Sequence, residues 1–425
     1  MCSFLILVLQ FVLFYIVKPT DTTDSVLIAT AIFAFSVAFF VDLNSNKKIA
    51  PYAMAIFIGY LWRVALVYFD IYGRDIYHLP NSGADSNMYY RNACLFVETG
   101  DPGLGEMFSR VMGTIYKIVG TSKLYGQFIV ALFSIVSLLC LMSILLESDL
   151  DEKTRHRVIG CVALLPNFAI LSSIFLRESV VAMFISLSLV FFMKWMKKGG
   201  GVRYILALAL VMCGAMFHSG SVAVALGYLA VLMLYDQKNK VFRLNFKSLI
   251  PSLVVLLVLA YLFINYADVF FGKMTNVSSI ADVGSTFAEG GSSYAAYVGD
   301  SSSVGNMIVY TIPRIVYFLF SPFPWQWRGL GDIIAFFFSG LFYLWAYKTA
   351  YAYLRHNKDG KNKYLVIGLI IISIASIFVF GWGCTNTGTA CRHRDKLIVI
   401  FSALWAVSRN PAMSRKVTYG GRQIM

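Results

Sequence analysis

Hydrophobic runs of about 15 to 22 residues recur from one end of the 425-residue chain to the other, separated by short polar segments. A helix that crosses a bilayer needs about 20 predominantly apolar residues. The pattern therefore predicts an all-α, polytopic integral membrane protein with about twelve transmembrane helices in a single membrane domain, 1–425. The predicted spans are 3–17, 25–41, 51–69, 124–146, 158–175, 179–193, 204–217, 221–235, 249–267, 331–347, 364–381 and 397–408.

One further apolar stretch, "MIVYTIPRIVYFLFSPFPW" at 307–325, is interrupted by Pro313 and Arg314. Counting it as a full span would move the lysine-rich loop near residue 355 to the opposite side of the membrane. Irregular backbone at membrane depth is tolerated where it is buried in protein or lines a water-filled cavity. We therefore expect a re-entrant or interfacial segment near 307–325 that borders such a cavity.

Composition agrees with the pattern, because 58% of the residues are hydrophobic and only 14% are charged. The net charge of +14 is unevenly distributed. One predicted face, which includes both termini, holds 22 Lys and Arg against 7 Asp and Glu, and the other holds 13 against 15. Basic loops stay in the cytoplasm, so both termini are predicted to be cytoplasmic. The excess positive charge is thus explained by the orientation of the chain in the membrane. We therefore expect no nucleic-acid partner.

The opposite face then carries a first large external loop, 70–122, a second external region, 268–330, and a loop at 382–396. The last loop contains "GTACRHRDK". Arg392, His393 and Arg394 are predicted to precede the last helix, where unpaired N–H groups and the helix dipole attract anions such as phosphate. Contact with lipid headgroups is the open alternative.

Two other motifs on this face contain candidate catalytic groups. Arg177 and Glu178 lie in "SSIFLRESVVAMF", where they form either a simple ion pair or a catalytic or substrate-binding pair. His218 lies in "GAMFHSGS", a very short turn between two helices. A histidine there is either a packing residue or a group for proton transfer near neutral pH.

The first external loop contains "GADSNMYY", which places Asp85 close to Tyr89 and Tyr90. A carboxylate beside aromatic faces suits a sugar, whereas Asp85 could equally be the N-cap of a helix that starts at Ser86. Glu106 has the character of a solvated charge. The Gly- and Ser-rich stretch 282–306 is either a cover over an external site or a linker.

Several other classes of chemistry are excluded by the absence of their motifs. The chain has no glycine-rich phosphate loop followed by Lys, no Cys or His pair at zinc spacing, and no serine elbow. We therefore expect no cofactor and no metal site.

Five motifs occur in a fixed order: "GADSNMYY", "LRES", "FHSG", "PRIVYFLFSPFPW" and "GTACRHRDK". In this order, from about 50 to 408, the chain resembles the polytopic polymerases of bacterial capsule, O-antigen and exopolysaccharide repeat units. The resemblance implies a glycosyltransferase of the bacterial cytoplasmic membrane that joins undecaprenyl diphosphate-linked oligosaccharides on the outer face. It also implies membrane lipid, a flippase and a chain-length regulator as partners.

The residues that this function would use fall into two groups. Asp85, Glu178, His218 and His393 are the candidate catalytic groups. The candidate substrate-binding residues are Tyr89, Tyr90, Arg177, Arg314, Arg328, Arg392 and Arg394. Arginine suits the second role because its planar fork matches phosphate oxygens.

Two other functions stay open. The first is a membrane glycosyltransferase that uses a polyprenyl monophosphate sugar, with Asp85 as its base. In that family the key acidic residues typically follow the first helix, whereas Asp85 follows the third. The second is a flippase or exporter of lipid-linked glycans, in which internal repeats and charges at mid-membrane are expected. We detect no repeat in the sequence, and the charges gather at the outer ends of the predicted helices.

Overall fold

The computed structural model describes residues 1–101, 106–243, 293–298, 304–357 and 360–409, with scattered residues between 250 and 261. These residues are mostly α-helical, and their one sheet is a two-stranded hairpin of Tyr235–Asp236 and Val241–Phe242. The predicted all-α membrane class is thus confirmed. Six described helices are long and apolar enough to cross a membrane: Ser25–Ser45, Ala50–Tyr72, Lys123–Glu147, Glu178–Lys198, Leu330–His356 and Lys363–Trp382.

Five described apolar helices are shorter: Cys2–Val17, Gly201–Phe217, Ser219–Leu234, Val309–Phe320 and Ile398–Val407. The total of about twelve spans therefore stays a prediction. The predicted span 249–267 and the external residues 268–292 lie largely outside the described part of the chain.

The contacts divide the chain into two compact units. Unit 1 comprises Met1–Leu138 and Ile159–Met183, and unit 2 comprises Leu139–Val158 and Phe184–Met425. Unit 1 contains the helices Cys2–Val17, Ser25–Ser45, Ala53–Tyr72, Ala84–Thr99, Met107–Val119 and Pro166–Leu171, with a short 3-10 turn at Ala50–Tyr52. The unit boundaries fall inside the helices Lys123–Glu147, Glu152–Ala163 and Glu178–Lys198.

Unit 2 contains most of the remaining helices. They are Gly201–Phe217, Ser219–Ser221, Val222–Leu234, Ala295–Val298, Val304–Phe320, Pro324–Gln326, Leu330–Ala335, Phe336–Leu341, Phe342–His356, Lys363–Trp382, Thr387–Lys396 and Ile398–Val407. Phe336–Leu341 is a π-helical turn inside an otherwise α-helical segment. Such turns are frequent at functional sites.

The prediction of one continuous span over 158–175 is wrong. Two helices, Glu152–Ala163 and Pro166–Leu171, occupy this part of the chain. Pro166 has no N–H to continue a helix and biases the preceding residue away from helical geometry. Leu165 accordingly has a ψ of 115°, which separates the two helices.

The segment 307–325 is more regular than the sequence suggests. Its backbone is helical from Val304 to Phe320, with Pro313 inside the helix. Irregular backbone begins only after Phe320 and includes the short turn Pro324–Gln326. Its placement relative to a membrane stays a prediction.

Buried arginines lie at the carboxyl ends of three helices. Arg63 donates to the Ala163 carbonyl at 2.7 Å, and Arg314 donates to the Trp382 carbonyl at 3.0 Å. Arg394 donates to the carbonyls of Phe318 and Ser321 at 2.6 and 2.7 Å. The last carbonyls of a helix have no partner within it, and in apolar surroundings an unpaired carbonyl is costly. Each arginine thus satisfies a helix end and fixes its position.

Candidate functional site

Two histidines far apart in sequence meet in unit 2. The Nε2 atoms of His218 and His393 are 3.0 Å apart, although 175 residues separate them in the chain. The Gly220 N–H donates to Nδ1 of His218 at 3.2 Å, which makes Nδ1 an acceptor. Neutral His218 must then carry its hydrogen on Nε2 and donate it to His393, whose own hydrogen lies on Nδ1. We call these two residues the histidine pair.

The surroundings of the histidine pair are aromatic and tightly packed. The Phe380 ring centroid lies 5.7 Å from that of His218 and 5.0 Å from that of His393. A Cβ atom on Gly220 would approach the Phe380 ring to 2.5 Å and the His218 ring to 3.0 Å. Glycine is therefore needed at 220 for the N–H to reach His218 while Phe380 stays in place.

His393 lies on the short helix Thr387–Lys396, which we call the cation helix. The Asn386 side chain caps it by accepting from the N–H groups of Gly388 and Thr389 at 2.9 and 3.3 Å. The predicted loop at 382–396 is thus largely helical. Arg392, His393 and Arg394 precede the last helix, Ile398–Val407, as predicted. They also occupy the carboxyl-terminal half of the cation helix, which was not predicted and where the dipole favours cations rather than phosphate.

Arg394 is fully buried, with 0% of its surface exposed. Besides the carbonyls of Phe318 and Ser321, it donates to the Ser339 hydroxyl at 2.9 Å and to the Cys391 sulfur at 3.1 Å. The two carbonyl contacts hold the cation helix to the end of Val304–Phe320, and the Ser339 contact holds it to the turn Phe336–Leu341. We therefore assign Arg394 a structural role in place of the predicted substrate contact.

Arg314 and Arg328 differ from each other in burial. Arg314 is 4% exposed and serves as the helix-end donor to Trp382, which is also a structural contact. Arg328 is half exposed and forms a two-pronged ion pair with Asp332, at 3.0 Å from Nε and 3.1 Å from Nη2. This hydrogen bonding raises the pKa of Arg328.

Arg392 is half-buried on the cation helix, next to His393. Its charge acts on the nearby Cys391 thiol, as do the charges of Arg394, Asp332 and Arg328. Burial nevertheless raises the pKa of Cys391. Arg392 and the Arg328–Asp332 pair are thus all close enough to Cys391 for their charges to affect its thiol. Of the predicted substrate-binding arginines in unit 2, Arg392 and Arg328 have the exposure that a ligand contact needs.

The remaining predicted residues lie in unit 1. Arg177 forms an ion pair with Glu106 at 3.3 Å, a partner that was not considered from the sequence. Its guanidinium lies 5.7 Å from the centre of the Tyr89 ring. Glu178 is 3% exposed and begins the helix Glu178–Lys198. We call Tyr89, Glu106, Arg177 and Glu178 the arginine–glutamate cluster.

Tyr89 is not available as an exposed face for a sugar, because it is 3% exposed and packs against Phe108. Burial is the largest cause of its raised pKa, to which Glu106 and Glu178 add while Arg177 opposes them. Tyr90 is half-buried and donates from its hydroxyl to the Thr121 carbonyl at 2.9 Å. Asp85 is half-buried in the first turn of Ala84–Thr99, and the N-cap is Gly83 rather than Asp85.

Sequence reasoning missed three carboxylates. No local sequence feature of Glu106 predicts its pairing with Arg177, which is 71 positions away. Asp332 could have been found, since it follows Arg328 by four positions on a helical segment. Asp70 is 1% exposed and accepts from Gln127 Nε2 at 2.7 Å and from the Ser82 hydroxyl.

The structure thus joins Tyr89 and Arg177 with Glu106 in unit 1, and His218 with His393 beside Arg392 in unit 2. Among the described residues, no group of three or more His, Cys, Asp or Glu could hold a metal ion. Comparison of the chain with protein-family models, curated proteins and solved structures gives no match.

Proposed function

We propose that the protein polymerises undecaprenyl diphosphate-linked oligosaccharide repeat units on the outer face of the bacterial cytoplasmic membrane. The observation that carries the proposal is the histidine pair, whose His393 directly follows Arg392 in the sequence of the cation helix. A histidine that can accept a proton and a half-buried cation on the same helix suit a reaction that moves one proton and releases a phosphate anion. Two of the motifs that carry the family resemblance, "FHSG" and "GTACRHRDK", supply this pair.

In the proposed reaction an acceptor hydroxyl oxygen attacks the anomeric carbon of the growing glycan. The bond from that carbon to the lipid diphosphate breaks, and its electron pair leaves with the diphosphate. Arg392 would stabilise the departing diphosphate through a charge-assisted contact.

The histidine pair would accept the proton that the acceptor hydroxyl loses. In the observed arrangement, the His393 Nε2 lone pair accepts from His218 and the His218 Nδ1 lone pair accepts from Gly220. An acceptor hydroxyl that replaces His218 as the donor to His393 can pass its proton to Nε2. Protonated His393 is then a second cation on the helix that carries Arg392, and it would add its charge to the stabilisation of the leaving group.

The proposed topology has about twelve spans, both termini in the cytoplasm and the histidine pair outside. Contacts within each unit agree with the grouping of segments by charge. In unit 1, Lys18 donates to the Ile118 carbonyl at 2.9 Å, and both residues belong to the predicted outer face. In unit 2, Glu147 pairs with Lys194 at 3.4 Å, and Asp149 pairs with Lys361 at 3.3 Å; all four belong to the predicted cytoplasmic face.

Deletion of the gene tests the proposal. A cell without the polymerase should display glycans of one repeat unit, because a separate flippase still exports each unit. Gel electrophoresis and mass spectrometry of the surface glycan give its length and sugar content. Loss of all external units would instead indicate a flippase, and a unit that lacks one sugar would indicate the monophosphate-sugar transferase. Unchanged long glycan chains would contradict all three functions.

A further inference from the structure

An exposed group of aromatic rings lies next to the cation helix in unit 2. The rings of Phe323 and Trp325 are parallel to within 2°, with centroids 4.7 Å apart. Those of Tyr297 and Tyr317 are parallel to within 6°, with centroids 5.7 Å apart. Tyr317 also contacts Phe323 edge-on at 5.1 Å, which makes the four rings continuous. We call them the aromatic platform.

The outermost rings of the platform are open to the surroundings. Trp325 is 71% exposed and Tyr297 is 60% exposed, whereas Tyr317 and Phe323 are half-buried beneath them. A large aromatic side chain is a strong contributor to binding when its face meets a complementary surface. The platform therefore presents two ring faces supported from below.

Hydrogen bonds fix the platform to the cation helix. The Tyr294 N–H donates to the Thr385 carbonyl at 2.8 Å, and its hydroxyl donates to the Cys384 carbonyl at 3.1 Å, just before that helix begins. On the other side, Arg394 of the cation helix donates to the Ser321 carbonyl at 2.7 Å. Phe323 is two residues from Ser321, at most about 7 Å along the chain. The platform is thus tied on two sides to the helix that carries Arg392 and His393.

A charged pair lies close in sequence to the platform. Arg328 follows Trp325 by three residues and forms the two-pronged ion pair with Asp332. Both charges act on the Cys391 thiol of the cation helix, as Arg392 does. A guanidinium and a carboxylate therefore lie within a few residues of the exposed Trp325 ring and act on the cation helix.

We propose that the aromatic platform binds a saccharide ring of the glycan substrate. A pyranose ring has a face of C–H bonds, which packs on an aromatic ring, and a rim of hydroxyl groups, which carboxylates and guanidinium groups bind. The Trp325 and Tyr297 faces are steeply inclined to each other, because Tyr317 and Phe323 meet at 73°, so each face would take its own ring of the oligosaccharide. A ring on Trp325 would lie near the part of the chain that carries the Arg328–Asp332 pair. The identity of the saccharide rests on the proposed function, whereas binding itself is measured without any turnover.

The test uses the purified full-length protein in lipid nanodiscs. Its probe is the lipid-free repeat-unit oligosaccharide released from the surface polysaccharide of the producing cells, and calorimetry gives the Kd. Trp325→Ala and Tyr297→Ala should each weaken binding about tenfold, the effect of a lost aromatic contact of about 1.4 kcal/mol. Trp325→Phe keeps an aromatic ring and should weaken binding by a smaller factor. Trp62→Ala, which removes a 41% exposed tryptophan from the helix Ala53–Tyr72, should bind as the parent protein does.

Two results would overturn the proposal that the aromatic platform binds a saccharide. The first is an oligosaccharide that does not bind the parent protein, and the second is parent-like affinity in both Trp325→Ala and Tyr297→Ala. The second result is expected if the rings contact only lipid headgroups. Monodisperse elution of each variant shows that it is folded. Neither result affects the glycan length expected in the deletion strain. The binding proposal can therefore fail while the polymerase proposal stands, and the two failures are distinguishable.

Discussion

Arg394 and Arg392 are two residues apart, yet their side chains differ in burial. Arg394 is fully buried, and its guanidinium donates to two main-chain carbonyls, a hydroxyl and a thiol. Arg392 is half-buried on the same helix. An arginine in apolar surroundings is commonly taken as a functional residue. Here Arg63, Arg314 and Arg394 instead satisfy helix ends, a role that no local sequence feature distinguishes from ligand binding.

Replacing Arg394 by Lys should destabilise the protein. Lysine keeps the charge but has a single nitrogen, so it cannot reach all the groups that the guanidinium contacts. One or two buried carbonyls would lose their donor, at a cost of about 2 to 4 kcal/mol in the free energy of unfolding. Equilibrium unfolding in mixed micelles measures this difference.

Arg392→Lys is the matched control, because it makes the same change on the same helix at a half-buried position. It should unfold within about 0.5 kcal/mol of the parent protein. If Arg394→Lys is as stable as Arg392→Lys, the structural role assigned to Arg394 is incorrect.

The histidine pair shows what can be predicted for single residues. His218 and His393 were both candidates from the sequence, because each lies among motifs on the same predicted face. Their contact could not be predicted, since it joins positions 175 residues apart and depends on how the helices pack. Glu106 was expected to be a solvated charge and Tyr89 to offer an aromatic face to a sugar. Both expectations failed because burial depends on tertiary packing, which the local sequence does not determine.

At the scale of the element, the cation helix differs most from expectation. Its sequence "TGTACRHRDK" is polar, and a polar segment between apolar runs indicates a loop. Asn386 nevertheless caps a ten-residue helix there, and Arg394 packs that helix against Val304–Phe320. Gly340, on the turn Phe336–Leu341, allows that turn to approach the end of Val304–Phe320 closely, because a Cβ atom there would lie 2.7 Å from the Leu319 carbonyl oxygen.

The cap of the cation helix can be tested separately. Asn386→Ala removes the acceptor for two N–H groups and should lower the free energy of unfolding by about 1 kcal/mol. Asn386→Ser keeps a capping oxygen and should retain most of the stability. Thermal unfolding of both variants measures the difference, and equal losses would mean that the side-chain cap contributes nothing.

At the scale of the whole molecule, hydropathy was sufficient to predict the class. The six long apolar helices of the described part of the chain all fall on predicted spans. Hydropathy could not reveal the break at Pro166 or the helix through Pro313. It responds to composition, whereas helix continuity depends on hydrogen bonding and local packing.

The sidedness of the chain leads to a labelling prediction. Lys361→Cys should react only with a membrane-permeant thiol reagent, because the charge count places it in the cytoplasm. Thr22→Cys, on the predicted outer face, should also react with an impermeant reagent. Both changes are made in a protein whose exposed Cys2 and Cys161 are replaced by Ser. Impermeant labelling at 361 would invert the topology and move the histidine pair to the cytoplasmic side.

The proposed polymerase function, with Arg392 at the leaving diphosphate, is tested most directly by the length of the surface glycan. It is measured in a deletion strain that expresses Arg392→Lys at the wild-type protein level. Lysine keeps the charge but loses the two-pronged geometry, so a charge-assisted contact to the leaving diphosphate should weaken. A loss of about 2 to 4 kcal/mol in transition-state stabilisation slows transfer about 30-fold to several hundred-fold. The account predicts mostly single units with Arg392→Lys and long chains with the control Arg157→Lys, an exposed arginine on the predicted cytoplasmic face. Long chains of normal distribution from Arg392→Lys would contradict it.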